Sequence, residues 1–246
     1  MGEFVIRVGS CTAQGRRSNN EDRFVADIQR HVFLVADGMG GQDRGEEASG
    51  LAAAIIPPEV SHRLAAREDV SLAVRGAIEK AHRAIVEAGL RIPTAKRMGT
   101  TAVLAVHSND QVVVGSVGDS PAFLIRGNKV QKLTVDHTIA DALARNGTIT
   151  EDQAKSSPWR NVLYRFLGCA EMTDSADVYP FRPQAGDRLV LASDGLSGYV
   201  TSEDFIAGCC RHPQEWANYL VHLALERGSN DNVTCVVVAF DTQREP

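Results

Sequence analysis

Short acidic motifs lie at the ends of apolar runs that are typical of β-strands, and they are spread over almost the whole chain. They are Asn20-Glu21-Asp22, Ala36-Asp37-Gly38, Ser193-Asp194-Gly195 and Asn230-Asp231-Asn232. Carboxylates gathered at strand ends repel one another unless cations neutralise them, and hard oxygen ligands favour Mg²⁺ or Mn²⁺ over zinc or copper. The motifs therefore predict a site for more than one metal ion, and such sites are well suited to hydrolysing phosphate esters.

Composition excludes several classes of function. The chain has 246 residues, a formal net charge of -5 and 43% hydrophobic residues, which is ordinary for a soluble globular protein. The charge balance argues against nucleic-acid binding, and no apolar run or N-terminal signal indicates a membrane partner. Five cysteines without a C-x-x-C pair favour a reducing compartment over a disulfide framework or a zinc site. We therefore expect a cytoplasmic protein.

Segments rich in Val, Leu, Ile and Phe, bounded by Gly, Asn or Asp, predict β-strands. They are 5–8, 31–36, 101–106, 111–117, 122–125, 188–192 and 233–240. The pairs Asn109-Asp110 and Gly127-Asn128 indicate hairpin turns. Consecutive strands joined by tight turns favour antiparallel pairing over a doubly wound parallel sheet.

Helices are predicted between and after these strands. One spans 45–56 and ends at Pro57-Pro58, because proline removes a backbone donor. A second spans 69–88 with Asp69 as N-cap, and a third spans 213–225 with Pro213 in its first turn. This order predicts an α+β fold: a β-sandwich of two mostly antiparallel sheets flanked by helices. We expect a single domain over 1–246, with a flap over the site within 136–176.

Asp37 is the residue best suited to bridge two cations, because it ends a predicted strand and Gly38 leaves its own carbonyl accessible. A water held between the cations would lose a proton near neutral pH and attack phosphorus in line. Arg17 offers a planar, permanently charged group for the phosphate. Singly, Asp-Gly and Asn-Asp pairs are more often simple turns; their joint occurrence favours the metal site. The other candidate ligands are Glu21, Asp194 and Asp231.

Seven motifs follow one another along the chain: Arg17-Ser18-Asn19-Asn20-Glu21-Asp22, Val35-Ala36-Asp37-Gly38-Met39-Gly40-Gly41, Met98-Gly99-Thr100-Thr101, Val117-Gly118-Asp119-Ser120, Leu133-Thr134-Val135-Asp136-His137, Leu191-Ala192-Ser193-Asp194-Gly195-Leu196 and Ser229-Asn230-Asp231-Asn232-Val233-Thr234. In this order they resemble the metal-dependent protein Ser/Thr phosphatases of the PP2C type (PPM family) over nearly the full chain. The form Asp-Gly-Met-Gly-Gly is typical of bacterial members.

The resemblance implies a β-sandwich flanked by helices and a hydrolase that uses Mn²⁺ or Mg²⁺ without a covalent intermediate. Its expected substrates are phosphorylated proteins, the products of a Ser/Thr kinase, and we expect it to act as a monomer. Relatives in eukaryotes often have a His after the Asp-Gly pair, proposed as the general acid. Met39 stands there in this chain, so the resemblance assigns no general acid.

The resemblance also implies roles for particular residues. Asp37 would bridge two metal ions, with Glu21 and the Gly38 carbonyl on one, and Asp194 and Asp231 on the other. Asp119 with Asp194 would hold a weaker third ion. The expected catalytic residues are Arg17, which also binds the substrate phosphate, Asp37, and Asp22, which fixes ligands or bound waters. Asn232 would orient Asp231.

Two alternatives come from other classes. The segment from Cys11 to Arg17 fits C-x5-R, the phosphate loop of cysteine-dependent phosphatases, but such a loop needs a helix after it, and residues 18–24 show no helical periodicity. A non-catalytic phosphoprotein-binding module would keep the fold and lose a metal ligand. No core ligand is missing from the motifs.

Overall fold

The computed structural model describes residues 4–40, 44–91, 98–170, 172 and 175–242. In this part of the chain the strands are β1 (Phe4–Ala13), β2 (Arg23–Asp27), β3 (Val32–Ala36), β4 (Gly38–Met39), β5 (Gly99–Thr100), β6 (Ala102–Ser108), β7 (Gln111–Val117), β8 (Ala122–Arg126), β9 (Lys129–Lys132), β10 (Asp177–Phe181), β11 (Arg188–Ala192) and β12 (Val233–Thr242). The helices are α1 (Arg44–Ala65), α2 (Val70–Leu90), α3 (Ile139–Arg145), α4 (Glu151–Lys155), α5 (Asp194–Ser197), α6 (Ser202–Gly208) and α7 (Pro213–Glu226).

The longer strands form two antiparallel sheets. Their orders are β1-β12-β11-β8-β9 and β10-β7-β6-β3-β2, while β4 and β5 pair with each other. The hairpin turns are where the sequence predicts them, because Ser108 faces Gln111 and Arg126 faces Lys129 across two-residue loops. The predicted sandwich of antiparallel sheets is confirmed.

Central strands are buried on both faces, which explains why their sequences are apolar without interruption. In β3, Phe33 packs between the two sheets and Leu34 packs in the cluster that includes α1 and α2. In β11, Leu189 packs between the sheets and Val190 packs in the cluster that contains Trp216 of α7. The fold therefore has four layers: helices, sheet, sheet and helices.

Helix α1 does not end at Pro57-Pro58, so that prediction is wrong. The helix continues for about two turns beyond the prolines. A proline inside a helix costs about 3 kcal/mol because it removes a hydrogen bond and crowds the preceding turn. Here Ile56 and Val60, before and after the prolines, are fully buried in the cluster beneath α1 and α2, and Pro57 is itself buried. The packing of one continuous helix outweighs the local penalty.

The other two predicted helices are close to their expected bounds. Asp69 caps α2, where its Oδ1 accepts a hydrogen bond from the Ser71 N–H at 2.8 Å. The segment 136–176 contains α3 and α4. An isolated β-bridge joins it to β5 at Thr100↔Leu167, and a second bridge, Thr138↔Leu163, lies within the segment. Among the described residues, no helix combines the length and apolarity needed to cross a lipid bilayer.

The packing of α6 on α7 can be tested at Gly208. A methyl group there would lie 2.1 Å from Nε1 of the fully buried Trp216. Gly→Ala in a helix normally stabilises by roughly 0.5–1 kcal/mol, but overpacking against a rigid buried ring costs roughly 1–3 kcal/mol. We expect Gly208→Ala to lower the Tm in a thermal melt followed by circular dichroism.

The matched control is Gly50→Ala in α1, because a methyl group at Gly50 meets no atom within 4 Å. This variant should keep or slightly raise the Tm through the helix propensity of alanine. A Gly208→Ala protein as stable as the Gly50→Ala protein would contradict the packing of α6 on Trp216.

Candidate active site

The acidic motifs meet in one cleft because the strand pairing brings their ends together. Arg23 of β2 faces Ala36 of β3, and Ala192 of β11 faces Cys235 of β12. Residues next to these paired strand ends in the chain line a cleft of about 720 Å³. Its lining includes eight of the predicted site residues: Arg17, Glu21, Asp37, Gly38, Asp119, Asp194, Asp231 and Asn232. The ninth, Asp22, is 3% exposed and does not line the cleft.

Two threonines hold the backbone of Asp37. Its N–H donates to Oγ1 of Thr101 at 3.0 Å, and its carbonyl accepts from the N–H of Thr101 and the hydroxyl of Thr100, each at 2.9 Å. The Thr101 hydroxyl also hydrogen-bonds the Ser120 hydroxyl at 2.6 Å, next to Asp119. The motif at 98–101 was part of the resemblance, but no role was predicted for it, because hydroxyl groups that fix a backbone leave no pattern of their own in a sequence.

Glu21 lies where the first turn of α1 approaches the backbone of Gly38 closely. A Cβ at Gly45 would be 2.5 Å from Oε2 of Glu21, and a Cβ at Gly38 would be 2.2 Å from the Gly45 carbonyl oxygen. The Ser49 hydroxyl of α1 also donates to the Glu21 carbonyl at 2.5 Å. The first turn of α1 can therefore pack beside Glu21 and Gly38 only because two glycines leave the space.

Asn232 organises the loop before β2. Its side-chain Nδ2 donates to the carbonyls of Gln14 and Asn19, and its Oδ1 accepts from the Glu21 N–H at 2.9 Å. The Asp231 carboxylate is held instead by the backbone of Asn232, whose N–H donates to Oδ1 at 2.8 Å. The sequence predicted that Asn232 orients Asp231; in the structure the backbone makes that contact, and the side chain fixes the loop that carries Arg17 and Glu21.

The carboxyl groups of the cleft are close enough to resist ionisation together. Burial raises the pKa of both Asp37 and Asp194, and the charges of Asp22 and Asp194 raise the pKa of Asp37 further. Burial, with the charge of Asp194, raises the pKa of Asp119 to about 7. Burial also raises the pKa of Asp22 to about 6. Without bound cations, burial and mutual repulsion therefore favour the protonated forms of these carboxyls.

Arg17 provides positive charge at the rim. One of its guanidinium nitrogens lies 2.5 Å from Oδ2 of Asp231, and its side chain is 59% exposed. The contact with Asp231 raises the pKa of Arg17 further above its usual range. The guanidinium therefore stays charged and accessible from the solvent.

The residues present fit divalent metal ions. They offer only oxygen donors, and neither buried oxygen of Asp22 makes a hydrogen bond of ordinary geometry. Within the described ranges, no three acidic side chains converge as ligands on one point.

Sequence reasoning missed part of the cleft wall. The described part of the segment 136–176 contributes residues that belong to no recognised motif. Their backbone is held by hydrogen bonds between residues that are far apart in the sequence, such as the Ile139 N–H donating to the Val162 carbonyl at 2.8 Å. Only the polar composition of 136–176 suggested that this region covers the site. The flap residues in the lining are Asn161, Val162, Leu163 and Phe166.

The cysteine-dependent alternative is wrong. Cys11 lies within β1, packs with Cys235 in the apolar cluster beneath α7, and is absent from the cleft lining. Burial raises the pKa of the Cys11 thiol, which disfavours the nucleophilic thiolate. Residues 14–22 form turns and extended chain rather than a helix, so no helix N-terminus faces the sulfur.

Comparison with known proteins identifies the family. The family model described as Protein phosphatase 2C matches residues 12–234. The serine/threonine phosphatase stp of Listeria welshimeri is 33% identical over 235 residues, which cover 92% of this chain and 93% of that protein. The serine/threonine protein phosphatase PstP of Mycobacterium tuberculosis is 34% identical over 95% of this chain and 45% of its own length.

Solved structures of protein Ser/Thr phosphatases are similar to this chain over nearly its whole length. The crystal structure of the Mycobacterium tuberculosis phosphatase PstP/Ppp has a TM-score of 0.84 at 31% identity, covering 96% of this chain and 99% of that one. The PstP catalytic domain in complex with two manganese ions has a TM-score of 0.83 at 30% identity, covering 97% and 100%. This chain belongs to the protein phosphatase 2C family. The predicted fold, the class of metal-dependent protein Ser/Thr phosphatase and the Mn²⁺ or Mg²⁺ cofactor are confirmed.

The crowding of carboxylates predicts how pH affects the metal-free protein. The pKa of Asp119 is about 7 in the folded chain against an ordinary 3.8, so folding favours its protonated form. Its contribution to stability is therefore present at low pH and is lost as pH rises from about 4 to about 7. In thermal melts with chelator, we expect Asp119→Asn to lose less Tm across this range than the wild type.

Asp110→Asn, in the half-exposed turn between β6 and β7, is the control and should keep the wild-type slope. Adding Mn²⁺ should raise the Tm of the wild type at pH 7 more than that of Asp119→Asn, because the variant lacks a carboxylate for the ion to neutralise. Identical slopes for the wild type and Asp119→Asn would contradict the buried carboxyl cluster.

Proposed function

We propose that the cleft hydrolyses phosphoserine and phosphothreonine esters in proteins, and that its acidic residues hold the metal ions. One observation carries this assignment: acidic residues from well-separated parts of the chain meet in a single cleft, with a charged guanidinium at its rim. They are Glu21, Asp37, Asp119, Asp194 and Asp231. Bound cations would neutralise these carboxylates, activate a water molecule and stabilise the charge that develops on phosphorus.

The proposed ligand sets follow from positions in the cleft. Asp37 would be shared by two ions, because its backbone is fixed by Thr101 and it lines the cleft together with Asp194. Glu21 and the Gly38 carbonyl would hold one of these ions, since they flank the same close approach to α1. Asp194 and Asp231 would hold the other, and Asp119 with Asp194 would hold a third.

Arg17 binds the substrate phosphate in this proposal. Its guanidinium is the rim group that can offer two parallel N–H donors to phosphate oxygens. In the present arrangement the acceptor is Oδ2 of Asp231. Phosphate binding would exchange this carboxylate for phosphate oxygens, which leaves Asp231 free for a cation.

Asp22 acts from beneath the cleft in this proposal. Its side chain is nearly inaccessible to bulk solvent. The hydroxyls of Ser193 and Thr234 lie near its two oxygens, but neither makes a hydrogen bond of ordinary geometry. Burial holds its pKa at about 6, so near neutral pH it can either accept or return a proton. We assign it to fixing the water molecules that reach the site.

We further propose that the substrates are proteins phosphorylated by a Ser/Thr kinase, and that the chain acts as a monomeric single domain over 1–246 with its flap within 136–176. Residues of the flap segment form one wall of the cleft, where a protein substrate would contact them. A cytoplasmic location is consistent with the five cysteines, all of which are free thiols.

Hydrolysis of p-nitrophenyl phosphate and of a phosphothreonine peptide tests the function. Metal-stripped protein should be inactive, and Mn²⁺ should restore turnover in the wild type and in Cys11→Ser, but not in Asp37→Asn. Circular dichroism checks that Asp37→Asn is folded. Activity that survives chelation, or near-wild-type turnover of folded Asp37→Asn, would refute the metal site.

The role of Arg17 predicts a change in KM. A hydrogen bond to a charged group contributes about 1.5–3 kcal/mol, so Arg17→Ala should raise KM for p-nitrophenyl phosphate roughly 10- to 100-fold with a smaller effect on kcat. Arg16→Ala is the matched control, because Arg16 does not line the cleft. If both variants raised KM equally, net charge rather than a specific contact would explain phosphate binding.

A further inference from the structure

His137 lies outside the cleft lining and is 1% exposed, yet both of its ring nitrogens have partners. Nδ1 accepts a hydrogen bond from the Gly118 N–H at 2.9 Å. A nitrogen that accepts from an N–H carries no proton, so the ring must be the neutral tautomer with its proton on Nε2. That proton is donated to Oδ2 of Asp177 at 3.0 Å.

Arg165 supports this arrangement from the flap. Its Nη1 lies 3.3 Å from Nε2 of His137, but two donors cannot bond each other, so the productive contact is with Oδ1 of Asp177 at 3.0 Å. Its Nη2 donates to the Ser175 carbonyl. Asp177 is thus fixed by a guanidinium on one oxygen and the imidazole on the other, which in turn fixes the orientation of the ring.

Gly118 is bound to His137 in both directions. Besides donating to Nδ1, it accepts from the His137 N–H at 3.0 Å. Its φ is +105°, and a Cβ there would lie 2.6 Å from Cγ2 of Thr101. Gly118 is therefore held between His137 and the threonine that fixes Asp37, and the residue that follows it is Asp119.

We propose that His137 is a positioning residue for the metal ion held by Asp119, acting by fixing the Gly118 peptide through its Nδ1. The inference rests on the proposed function of the cleft. The backbone of His137 also joins this loop to the flap, since the Tyr164 N–H donates to the His137 carbonyl at 3.0 Å. The Asp119 carboxylate is thereby presented to the cleft by a chain of contacts that runs from Asp177 through His137 and Gly118.

Two substitutions distinguish the contribution of Nδ1 of His137 from that of Nε2. The amide oxygen of His137→Asn lies near the position of Nδ1 and can still accept from Gly118, while the contact with Asp177 is lost. The amide nitrogen of His137→Gln lies near the position of Nε2 and can still donate to Asp177, while the Gly118 N–H loses its acceptor. Both variants remove one hydrogen bond, but only His137→Gln releases the loop of Asp119.

The control is His82→Gln. Nδ1 of His82 also accepts from a glycine N–H, that of Gly168 at 3.2 Å, where the chain leaves the flap segment. This substitution removes the same kind of bond at a site that does not contact the Asp119 loop. It should lower the Tm about as much as His137→Gln and leave metal binding unchanged.

Isothermal titration of Mn²⁺ into metal-stripped full-length protein is the measurement, with amide hydrogen exchange at Gly118 in the metal-free state as a second readout. We first expect Asp119→Ala to remove one binding step from the wild-type isotherm. His137→Gln should then weaken that same step roughly 5- to 10-fold, as expected for one lost hydrogen bond, and speed exchange at Gly118. His137→Asn should remain within about twofold of wild type in both.

Several outcomes would overturn the proposal. Wild-type affinity in His137→Gln, or equal weakening in His137→Asn and His137→Gln, would show that Nδ1 does not act on the metal. A weakened step in His82→Gln would show a general effect of destabilisation. A wild-type isotherm without Mn²⁺ uptake would refute the proposed function itself, and one that Asp119→Ala leaves unchanged would remove the ion that His137 is proposed to position.

Discussion

Electrostatic repulsion among the carboxylates of the cleft is the constraint on which the rest of the structure depends. Burial and mutual proximity raise the pKa of Asp22, Asp37, Asp119 and Asp194, so the folded chain holds these groups together against their tendency to ionise and separate. Apolar packing of the two sheets opposes this repulsion. Apolar residues on both faces of β3 and β11 fix the strands, and the strand ends carry the acidic residues.

A layer of neutral hydrogen bonds lies between the core and the carboxylates. Thr101 holds the backbone of Asp37, Asn232 holds that of Glu21, and His137 holds that of Gly118. Thr101 and Asn232 each bind the main chain of a residue whose acidic side chain lines the cleft, and His137 binds the glycine that precedes Asp119. The acidic residues are therefore positioned through backbone groups, which leaves their carboxyls available to the cleft.

The parts of the fold that could be predicted from the sequence are those governed by local rules. Apolar runs predicted β7 and β11 at their observed bounds, and Asp69 predicted the start of α2. The failures came from long-range packing. β10 contains Pro180, and a proline is unfavourable inside a strand because it lacks an N–H. β10 lies at the edge of its sheet, where the missing N–H is tolerated. The prolines of α1 were misread for the same reason, since only the buried neighbours of Pro57 show why the helix continues.

The candidate site also has a part that local sequence patterns predict and a part that depends on long-range contacts. That acidic residues in short motifs would lie together in one cleft could be predicted, because a metal site needs that residue type whatever the surrounding fold. The backbone contacts of Thr101, Asn232 and His137 could not be predicted, because each depends on which backbone group of a distant segment lies within 3 Å. The cleft wall that the flap segment forms, which includes Asn161 and Phe166, could not be predicted from the sequence either. Its residues reach the cleft through strand-like bridges that have no sequence signal of their own.

The attachment of the flap has a consequence for how such a protein can diverge. One end of the segment pairs with Thr100 through reciprocal backbone hydrogen bonds to Leu167, and Thr100 also donates its hydroxyl to the Asp37 carbonyl. The other end is anchored at His137, whose backbone N–H and ring Nδ1 both hydrogen-bond Gly118. Between these anchors, α3, α4 and the loop through Trp159 are joined to the sandwich without contributing an acidic ligand. Insertions or deletions between the anchors would reshape the surface offered to a phosphorylated partner while the geometry around Asp37 stays the same, so selectivity and turnover can evolve on separate parts of one chain.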